Sequence, residues 1–591
     1  MFRLTQQQVL KTRITGQVVN TARNSINHSI RFNSVAIERT QSQSKPQDPA
    51  SLSFTNTIKN VANLQKSVNN NKKNDVKRGK GYHNNDHHID ASSPWFKQLC
   101  AFRDCLSHII DLNDPSSQPF FWDTLKKAMV LYDDLKGTPD FHDSQVSLLI
   151  YALHTGLRAN RNQLTRLAKK PDYDARSFHT DMNEFIKASL RQITNDLLSG
   201  VGSVNESGAM HLLTSLKELK LENEAIAVWS SSMEKENLKP VFLRPKVVGV
   251  LLPIMYQCGS KFNDLEELYH ESKSLNTSHP HLISGMLKTC LAAGENRKAL
   301  ELFSELCSYN DKSTYSALVD VHLALIGDCK DITIANTFFE KAISRETPYR
   351  LTLHVNSVKQ FIQNIWTETH DFEQVRQVWE KVTVFYGRNI HHGISSSLNN
   401  TFFDIFFENY ADNQQVGLET LKSIIATYND IKPIDEPFFN IIISKCVVWK
   451  DKVTIDSLYS AYELYNLKKT QVSRRIYLKS LGSVDATANE ILDAWYDLLL
   501  FNDSERNTYI ANADWAALRD ATFASSEDRA LLYAQILKQF QCFCRDQSQF
   551  KRLHSIVNLY PVLSPYLKDL SSVDARGIFV PQFQNLQRHN F

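Results

Sequence analysis

A short helical block recurs at a nearly constant interval through the middle of this chain. In each block a small or aliphatic residue is followed four residues later by an aromatic residue or leucine, so both lie on one helix face. Successive blocks begin 34 to 42 residues apart, with a mean of 38. The eight blocks begin at Ala225, Leu265, Ala299, Ala335, Val375, Gly417, Ile455 and Ile491. This period predicts an array of stacked structural repeats.

A second apolar helical stretch precedes the blocks, as at 282–291 before Ala299 and at 438–449 before Ile455. Each unit is therefore a helical hairpin whose apolar seam cannot be buried by one hairpin alone, so neighbouring hairpins must stack. Only 18 of the 591 residues are glycine, and no sustained alternation of apolar and polar residues indicates a sheet. We predict an all-α protein with an α-solenoid of about eight degenerate hairpins over residues 201–501. A non-repeating all-helical domain is the alternative.

The regions on either side of the repeats divide into four parts. Residues 1–37 contain no Asp or Glu but five Arg and Lys, which is typical of a mitochondrial transit peptide; a disordered basic tail is the alternative. Residues 38–92 are polar and repetitive and predict a disordered tether, because they cannot bury enough apolar area. We expect an N-terminal helical domain at 93–200, with Ser93 capping its first helix, and a C-terminal helical cap and tail at 502–591.

Three of the predicted first helices resemble the consensus of pentatricopeptide repeats. They are residues 281–287, followed by a matching second helix at 294–303, and residues 314–319 and 438–443. The resemblance implies that one polar residue on each first helix lines a groove and reads the edge of one RNA base. The corresponding residues here are Ser284, Ser316, Asn356 and Asn440. An ordinary solvated helix position is the alternative for each of them.

RNA binding also requires cations that neutralise phosphates. Two basic clusters occur, one ahead of the repeats and one at the start of the last unit. They consist of Arg158, Arg161, Arg166, Lys169 and Lys170, and of Lys468, Lys469, Arg474, Arg475 and Lys479. We favour Arg474 and Arg475 as RNA-binding residues, because the groove-lining helix of the last unit should begin there. A solvated surface is the alternative for either cluster.

The formal net charge of +3 is a sum of unlike parts. The first 93 residues hold 14 Lys and Arg against 5 Asp and Glu, whereas the remaining 498 residues hold 53 against 59. The positive total therefore comes from the predicted leader and tether. Any RNA binding by the folded part must therefore depend on a local basic strip on an otherwise acidic surface.

The leader, the tether, the segment 95–102 and the eight hairpins together resemble a group of fungal mitochondrial pentatricopeptide-like proteins, the "required for meiotic nuclear division protein nine" family. The resemblance covers about residues 93–580. It implies binding to mitochondrial messenger RNAs at their 3′ ends, in the matrix, with peripheral association with the inner membrane. It also implies that the protein supports the stability, processing or translation of those transcripts. The mitochondrial ribosome and other expression factors are further candidate partners.

The sequence contains no catalytic or cofactor-binding motif. Dinucleotide and Walker phosphate loops are missing, as are the His-Glu-x-x-His and Gly-x-Ser-x-Gly signatures. His83, His87 and His88 lie in the predicted tether, where nothing preorganises metal ligands. We therefore expect no enzymatic activity, no cofactor and no metal site. The competing hypothesis is a tetratricopeptide-like scaffold that binds proteins, for example an assembly factor for a respiratory-chain complex.

Overall fold

Every regular element in the described part of the chain is a helix. The computed structural model describes residues 91–110, 120–167, 175–276, 279–309, 312–387, 392–523, 527–557 and 570–589. The predicted leader and all but the last two residues of the predicted tether lie outside these ranges. So do Lys169 and Lys170 of the first basic cluster.

The described residues form two compact units, which divide between Ser357 and Val358. We call them the N-terminal and C-terminal units. The helices of the N-terminal unit are α1 (Phe96–Ile110), α2 (Phe121–Leu135), α3 (Asp143–Leu167), α4 (Ala175–Leu198), α5 (Glu206–Glu218), α6 (Glu222–Met233), α7 (Lys239–Phe242), α8 (Pro245–Gln257), α9 (Phe262–Leu275), α10 (Pro280–Ala293), α11 (Asn296–Ser308), α12 (Lys312–Gly327) and α13 (Ile332–Ile343).

The C-terminal unit begins within α14, whose first three residues belong to the N-terminal unit. Its helices are α14 (Val355–Thr369), α15 (Phe372–Tyr386), α16 (His392–Asn409), α17 (Gln414–Ile431), α18 (Glu436–Cys446), α19 (Lys452–Leu464), α20 (Gln471–Leu481), α21 (Ala488–Ser504), α22 (Asn512–Thr522), α23 (Glu527–Phe540) and α24 (Gln547–Val557). Single 3₁₀ turns follow α18 and α23 and occur again at Leu570–Ser572.

The predicted repeat is confirmed. The eight blocks fall, one each, on the second helices of successive hairpins, namely α6, α9, α11, α13, α15, α17, α19 and α21. The first residue of every block is buried, from Ala225 in α6 to Ile491 in α21. The short helix α7 is inserted between α6 and α8 and lengthens the step from Ala225 to Leu265. The period therefore measures one hairpin, and its apolar residues form the seam between hairpins.

The first helices of successive hairpins pack side by side within each unit. In the N-terminal unit α3, α5, α8, α10 and α12 form such a row, and in the C-terminal unit α16, α18, α20 and α22 form another. We call each of these a first-helix row. Each row presents a continuous surface to which every hairpin contributes one helix.

Aspartates begin several of the second helices. The carboxylate of Asp331 accepts hydrogen bonds from the amides of Thr333 and Ile334 at the start of α13. Asp371 and Asp451 cap α15 and α19 in the same way. Such caps satisfy amides that have no partner inside the helix. The hairpin turn is therefore stabilised where the chain leaves the first helix and enters the second.

Two glycines allow α8 and α10 to approach each other very closely. A Cβ atom on Gly285 would lie 2.6 Å from the Cα of Gly249, and a Cβ on Gly249 would lie 2.7 Å from the carbonyl carbon of His281. No real Cβ tolerates such distances to backbone atoms. The two helices can therefore keep this spacing only because both positions lack a side chain.

The C-terminal segment is held to α21 by one carboxylate. Asp503 accepts hydrogen bonds from the backbone amides of Gln584, Asn585 and Leu586 at 2.9, 2.7 and 2.8 Å. These bonds lower the pKa of Asp503 against the opposing effect of burial, which is the largest single influence. The last described residues are thus fixed to the C-terminal unit rather than extended from it.

We expect the substitution Gly285→Ala to destabilise the protein by roughly 2 kcal/mol, because the new methyl group forces α8 and α10 apart. In an unconstrained helix the same substitution would stabilise the protein by about 1 kcal/mol, because Ala is favoured over Gly. A loss of stability would therefore report the close contact. Urea unfolding measures the change. Gly202→Ala, at a position between α4 and α5, is the control for an added methyl group without a close contact, because its Cβ would meet only Leu197 at 3.6 Å. Equal stability of the two variants would contradict the close-contact interpretation.

Candidate nucleic-acid interface

Two of the four residues predicted to read bases are buried. Ser284 is the fifth residue of α10, and its hydroxyl lies 3.5 Å from the Asp320 carboxylate on α12. Asn440 is the fifth residue of α18, and its side-chain oxygen accepts a hydrogen bond from the Tyr462 hydroxyl at 2.7 Å. Both residues therefore have partners inside the hairpin stack.

The other two residues are exposed. Ser316 is the fifth residue of α12, in register with Ser284 and Asn440, whereas Asn356 is the second residue of α14. Both side chains lie at the surface of the N-terminal unit. The predicted base-reading role of all four residues stays a prediction, and exposure favours Ser316 and Asn356.

The predicted arginines of the C-terminal unit connect helices. Arg474 lies 2.9 Å from Asp497 of α21 and stacks over the Phe501 ring at 4.2 Å. Arg475 pairs with Asp514 of α22, whose side chain is fully buried. A phosphate would have to compete with a carboxylate at either arginine. Their predicted contact with RNA stays a prediction, and the structure shows instead that they hold α20 against its neighbours.

A group of cationic and imidazole side chains crosses the first-helix row of the N-terminal unit. We call it the cationic strip. It consists of Arg158 on α3, His211 and Lys217 on α5, Lys246 on α8, and His281 and Lys288 on α10. Lysine is the only residue with a formal charge on α8 and on α10. Each of the successive first helices α5, α8 and α10 thus contributes one lysine to the strip, and α3 contributes Arg158.

Electrostatic interactions show that these groups lie close together. Burial, together with the charges of His154, Arg158 and Lys246, lowers the pKa of His211 to about 4. Burial also lowers the pKa of His281, and His279, Lys246 and Lys288 contribute in the same direction, whereas Asp320 opposes them. For Lys217, burial and then Lys288 lower the pKa, and the acidic residues Glu222, Asp320 and Asp328 partly offset this. Like charges that repel one another in this way favour a bound anion.

Arg158 and Lys246 differ from the predicted arginines in having no ion pair in the described part of the chain. Arg158 is exposed and Lys246 is half-buried, and both act on the same imidazole, His211. Lys288, by contrast, pairs with Asp320. Lys217 also has no ion pair in the described part of the chain, so Arg158 and Lys246 are the two unpaired cations of the strip that flank His211. Their nearest carboxylates are Glu218, whose pKa Arg158 helps to lower, and Glu206, which accepts a hydrogen bond from the backbone amide of Lys246.

The second helices behind the strip carry the opposite charge. On α6 the ionisable residues are Glu222 and Glu224, without any Lys or Arg. On α9, Asp264, Glu266, Glu267 and Glu271 accompany the single cation Lys273. Helices α6 and α9 are thus net negative, whereas the first helices α8 and α10 each carry one lysine, and this difference directs a polyanion toward α8 and α10.

The sequence identified Arg158 within a basic cluster but missed the other members of the strip. Lys246 and Lys288 are isolated cations in apolar helices, so no cluster in the sequence indicates them. The signal that could have found them is one lysine in the first helix of consecutive hairpins. That signal becomes informative only once the hairpins are known to stack.

The described residues contain no group of three or more His, Cys, Asp or Glu side chains placed to hold a metal ion. His83, His87 and His88 lie outside those residues. Among the helices described, none has both the length and the apolar character required to cross a bilayer.

The chain matches three domains of one protein family. They are the RMD9 N-terminal domain over residues 92–243, the RMD9 middle domain over residues 262–468 and the RMD9 C-terminal domain over residues 504–591. Together these matches span most of the described residues.

Relatives and a solved structure agree with these matches. The chain is 39% identical to "RNA-binding protein RMD9, mitochondrial" of Kluyveromyces lactis, over 99% of each chain. It is 48% identical to "RNA-binding protein RMD9-like, mitochondrial" of Saccharomyces cerevisiae, over 73% of this chain and 62% of that protein. The fold resembles yeast Rmd9p solved in complex with a 16-nucleotide target RNA, with a TM-score of 0.74 and 41% identity over 83% of this chain and all of that one.

We expect Arg475→Met to destabilise the protein by about 3 kcal/mol, because it leaves the buried Asp514 carboxylate without its cation. Burial already outweighs the ion pair and raises the pKa of Asp514. Since the variant raises that pKa further, the loss should shrink as the pH falls and the carboxyl group becomes protonated.

Urea unfolding at pH 8 and pH 5, followed by tryptophan fluorescence, to which the neighbouring Trp495 and Trp515 pair contributes, measures this effect. Arg474→Met is the matched control, because its partner Asp497 is 52% exposed and such pairs contribute about 1 kcal/mol or less. If both variants lost the same stability, Arg475 would not be the main support of the buried carboxylate.

Proposed function

The chain belongs to the RMD9 family, and on that premise we propose that it is a non-enzymatic mitochondrial protein that binds single-stranded RNA through the cationic strip. We further propose that it binds the 3′ ends of mitochondrial messenger RNAs and supports their stability, processing or translation. Location in the matrix, peripheral association with the inner membrane and contact with the mitochondrial ribosome are part of this proposal.

The observation that carries the proposal is the pair of unpaired cations around His211. Arg158 and Lys246 come from helices on opposite sides of α5, so their charges converge on one place in the first-helix row. RNA phosphates bind such places because neutralisation releases the counterions condensed on the strand. Names of relatives support the choice of RNA as the polyanion, since they are called mitochondrial RNA-binding proteins.

Base recognition would use exposed polar groups of the N-terminal unit. We propose Ser316 and Asn356 for this role, because a hydroxyl or an amide can pair with a base edge. Ser284 and Asn440 would have to leave Asp320 and Tyr462 to do so. Phosphate contacts would position the strand, and the polar side chains would read it.

We expect crosslinking of the tagged protein in intact mitochondria, followed by sequencing of bound RNA, to enrich specific mitochondrial transcripts near their 3′ ends. Enrichment within coding regions would contradict the proposed binding at 3′ ends but would leave RNA binding itself supported. Enrichment of proteins without any RNA would contradict RNA binding and favour the protein-binding scaffold.

We expect the double variant Arg158→Gln and Lys246→Gln to weaken RNA binding at least tenfold, because two phosphate contacts are lost. The slope of log K against log salt should fall in magnitude by about 1.4, since each phosphate contributes about 0.7 for single strands. Fluorescence anisotropy of a labelled 16-nucleotide RNA, titrated at several salt concentrations, measures both quantities.

The matched control is Lys235→Gln with Lys261→Gln, which removes two exposed cations outside the strip. It should leave the salt slope nearly unchanged. An equal loss in both double variants would show that net charge, and not the strip, determines affinity.

A further inference from the structure

Four side chains of α3 and α5, at one end of the strip, form one continuous hydrogen-bonded chain. The Nδ1 atoms of His154 and His211 face each other at 2.9 Å. The Nε2 atom of His154 lies 3.2 Å from Oε1 of Glu218, and Arg161 Nη2 donates to Oε2 of Glu218 at 2.6 Å. We call the chain Glu218–His154–His211 the imidazole relay.

The geometry of the relay determines where the protons lie. An ionised carboxylate only accepts, so His154 Nε2 must carry the proton that it shares with Glu218. In neutral His154 the Nδ1 atom is then an acceptor, and His211 must donate to it through its own Nδ1. The Nε2 atom of a neutral His211 is consequently an unprotonated acceptor at the open end of the relay.

That open end lies among the cations of the strip. The Nε2 atom of His211 has no hydrogen-bond partner among the described residues, and the residue is half-buried. The groups that lower its pKa besides burial are the second imidazole, His154, and the cations Arg158 of α3 and Lys246 of α8. The Tyr151 ring of α3 packs against the His211 ring at 4.8 Å, and Glu206 of α5 accepts a hydrogen bond from the Lys246 amide. Helices α6 and α7 also pack on α5, and their charged residues are Glu222, Glu224 and Lys239.

A phosphate oxygen cannot accept a hydrogen bond from an unprotonated nitrogen. Without a proton from solvent, the relay can place a proton on His211 Nε2 in only one way. Both imidazoles would have to change tautomer, and Glu218 would have to take up the proton of His154 Nε2. The hydrogen bond from His154 and the charges of Arg161 and Arg158 oppose this, because they lower the pKa of Glu218. The proton must therefore come from solvent.

We propose that His211 is an RNA phosphate ligand and that each RNA molecule takes up one proton from solution at His211 Nε2 when it binds. This rests on the proposed function. No covalent bond changes; the imidazole becomes a cation and donates Nε2–H to a non-bridging phosphate oxygen. Arg158 and Lys246 disfavour that cation in the free protein, but in the complex their charges are balanced by the phosphates that they bind on the same strand.

We expect the affinity for RNA to increase as the pH falls. Free His211, with its pKa lowered to about 4, is neutral at pH 7. A bound phosphate raises that pKa, so affinity increases as the pH falls toward the pKa of the bound imidazole, by at most about tenfold per pH unit. We expect affinity to rise roughly tenfold between pH 8 and pH 6.

The test uses the full chain and a fluorescein-labelled 16-nucleotide RNA with the most enriched crosslinked sequence. Anisotropy titrations from pH 5.5 to pH 8.5 give the change of log affinity with pH, which we call the slope. Calorimetry in buffers of different ionisation enthalpy counts the protons taken up. Binding without a pH slope or proton uptake would overturn this inference and leave the proposed function intact. Absence of binding at every pH would overturn both.

Two variants separate the relay from general electrostatics. His211→Gln should bind several-fold more weakly at pH 6 and lose the slope. Glu218→Gln should also lose the slope but bind more tightly than wild type at pH 8, because its amide can donate to His154 and let neutral His211 present Nε2–H. Retention of the full slope in Glu218→Gln would show that Glu218 acts only as a charge and would overturn the relay.

The matched control is His270→Asn, which changes an exposed imidazole on α9 outside the strip. It should keep the slope of the wild-type protein. A slope that survived in His211→Gln but disappeared in His281→Gln would assign the proton to His281 and overturn the assignment to His211. Circular dichroism melting checks that each variant is folded.

Discussion

Close packing between consecutive first helices is the contact on which the N-terminal unit depends. Where α8 crosses α10, Gly249 and Gly285 bring backbone against backbone. Gly208 on α5 lies similarly close to Ser147 on α3, and in the C-terminal unit Gly482 lies against Asp520. Because each hairpin buries its apolar seam only against its neighbours, any separation of these helices exposes the seam along the whole row.

The same packing determines where charge can lie. Helices α8 and α10 are buried on most of their surface, and each has one residue with a formal charge, a lysine. Stacking therefore brings Lys246 and Lys288 toward Lys217 and the imidazoles of His211 and His281. The acidic residues of α6 and α9 stand on the other helices of the hairpins. A folded part with more acidic than basic residues thus still has a cationic strip.

The residues that the sequence selected for the groove show how far a repeat register can predict a site. Ser284, Ser316 and Asn440 all occupy the fifth position of their helices, although Ser316 lies 19 residues before the next block and the other two lie 15 residues before theirs. Yet Ser316 is exposed, whereas Ser284 and Asn440 are buried beside Asp320 and Tyr462. The register determines the helix face, but a side chain from another helix determines whether that face is covered.

The sequence by itself determined that this protein consists of helical hairpins of about 38 residues, because helical periodicity and capping are local properties of the chain. Only the tertiary structure decided which cations are available to a ligand. Arg474 and Arg475 look like a basic site in the sequence, but each has a carboxylate partner from a later helix. Arg158 and Lys246 are far apart in the sequence and unpaired, and they meet at His211. Ion pairing depends on distances between side chains of different hairpins, and no local pattern encodes those distances.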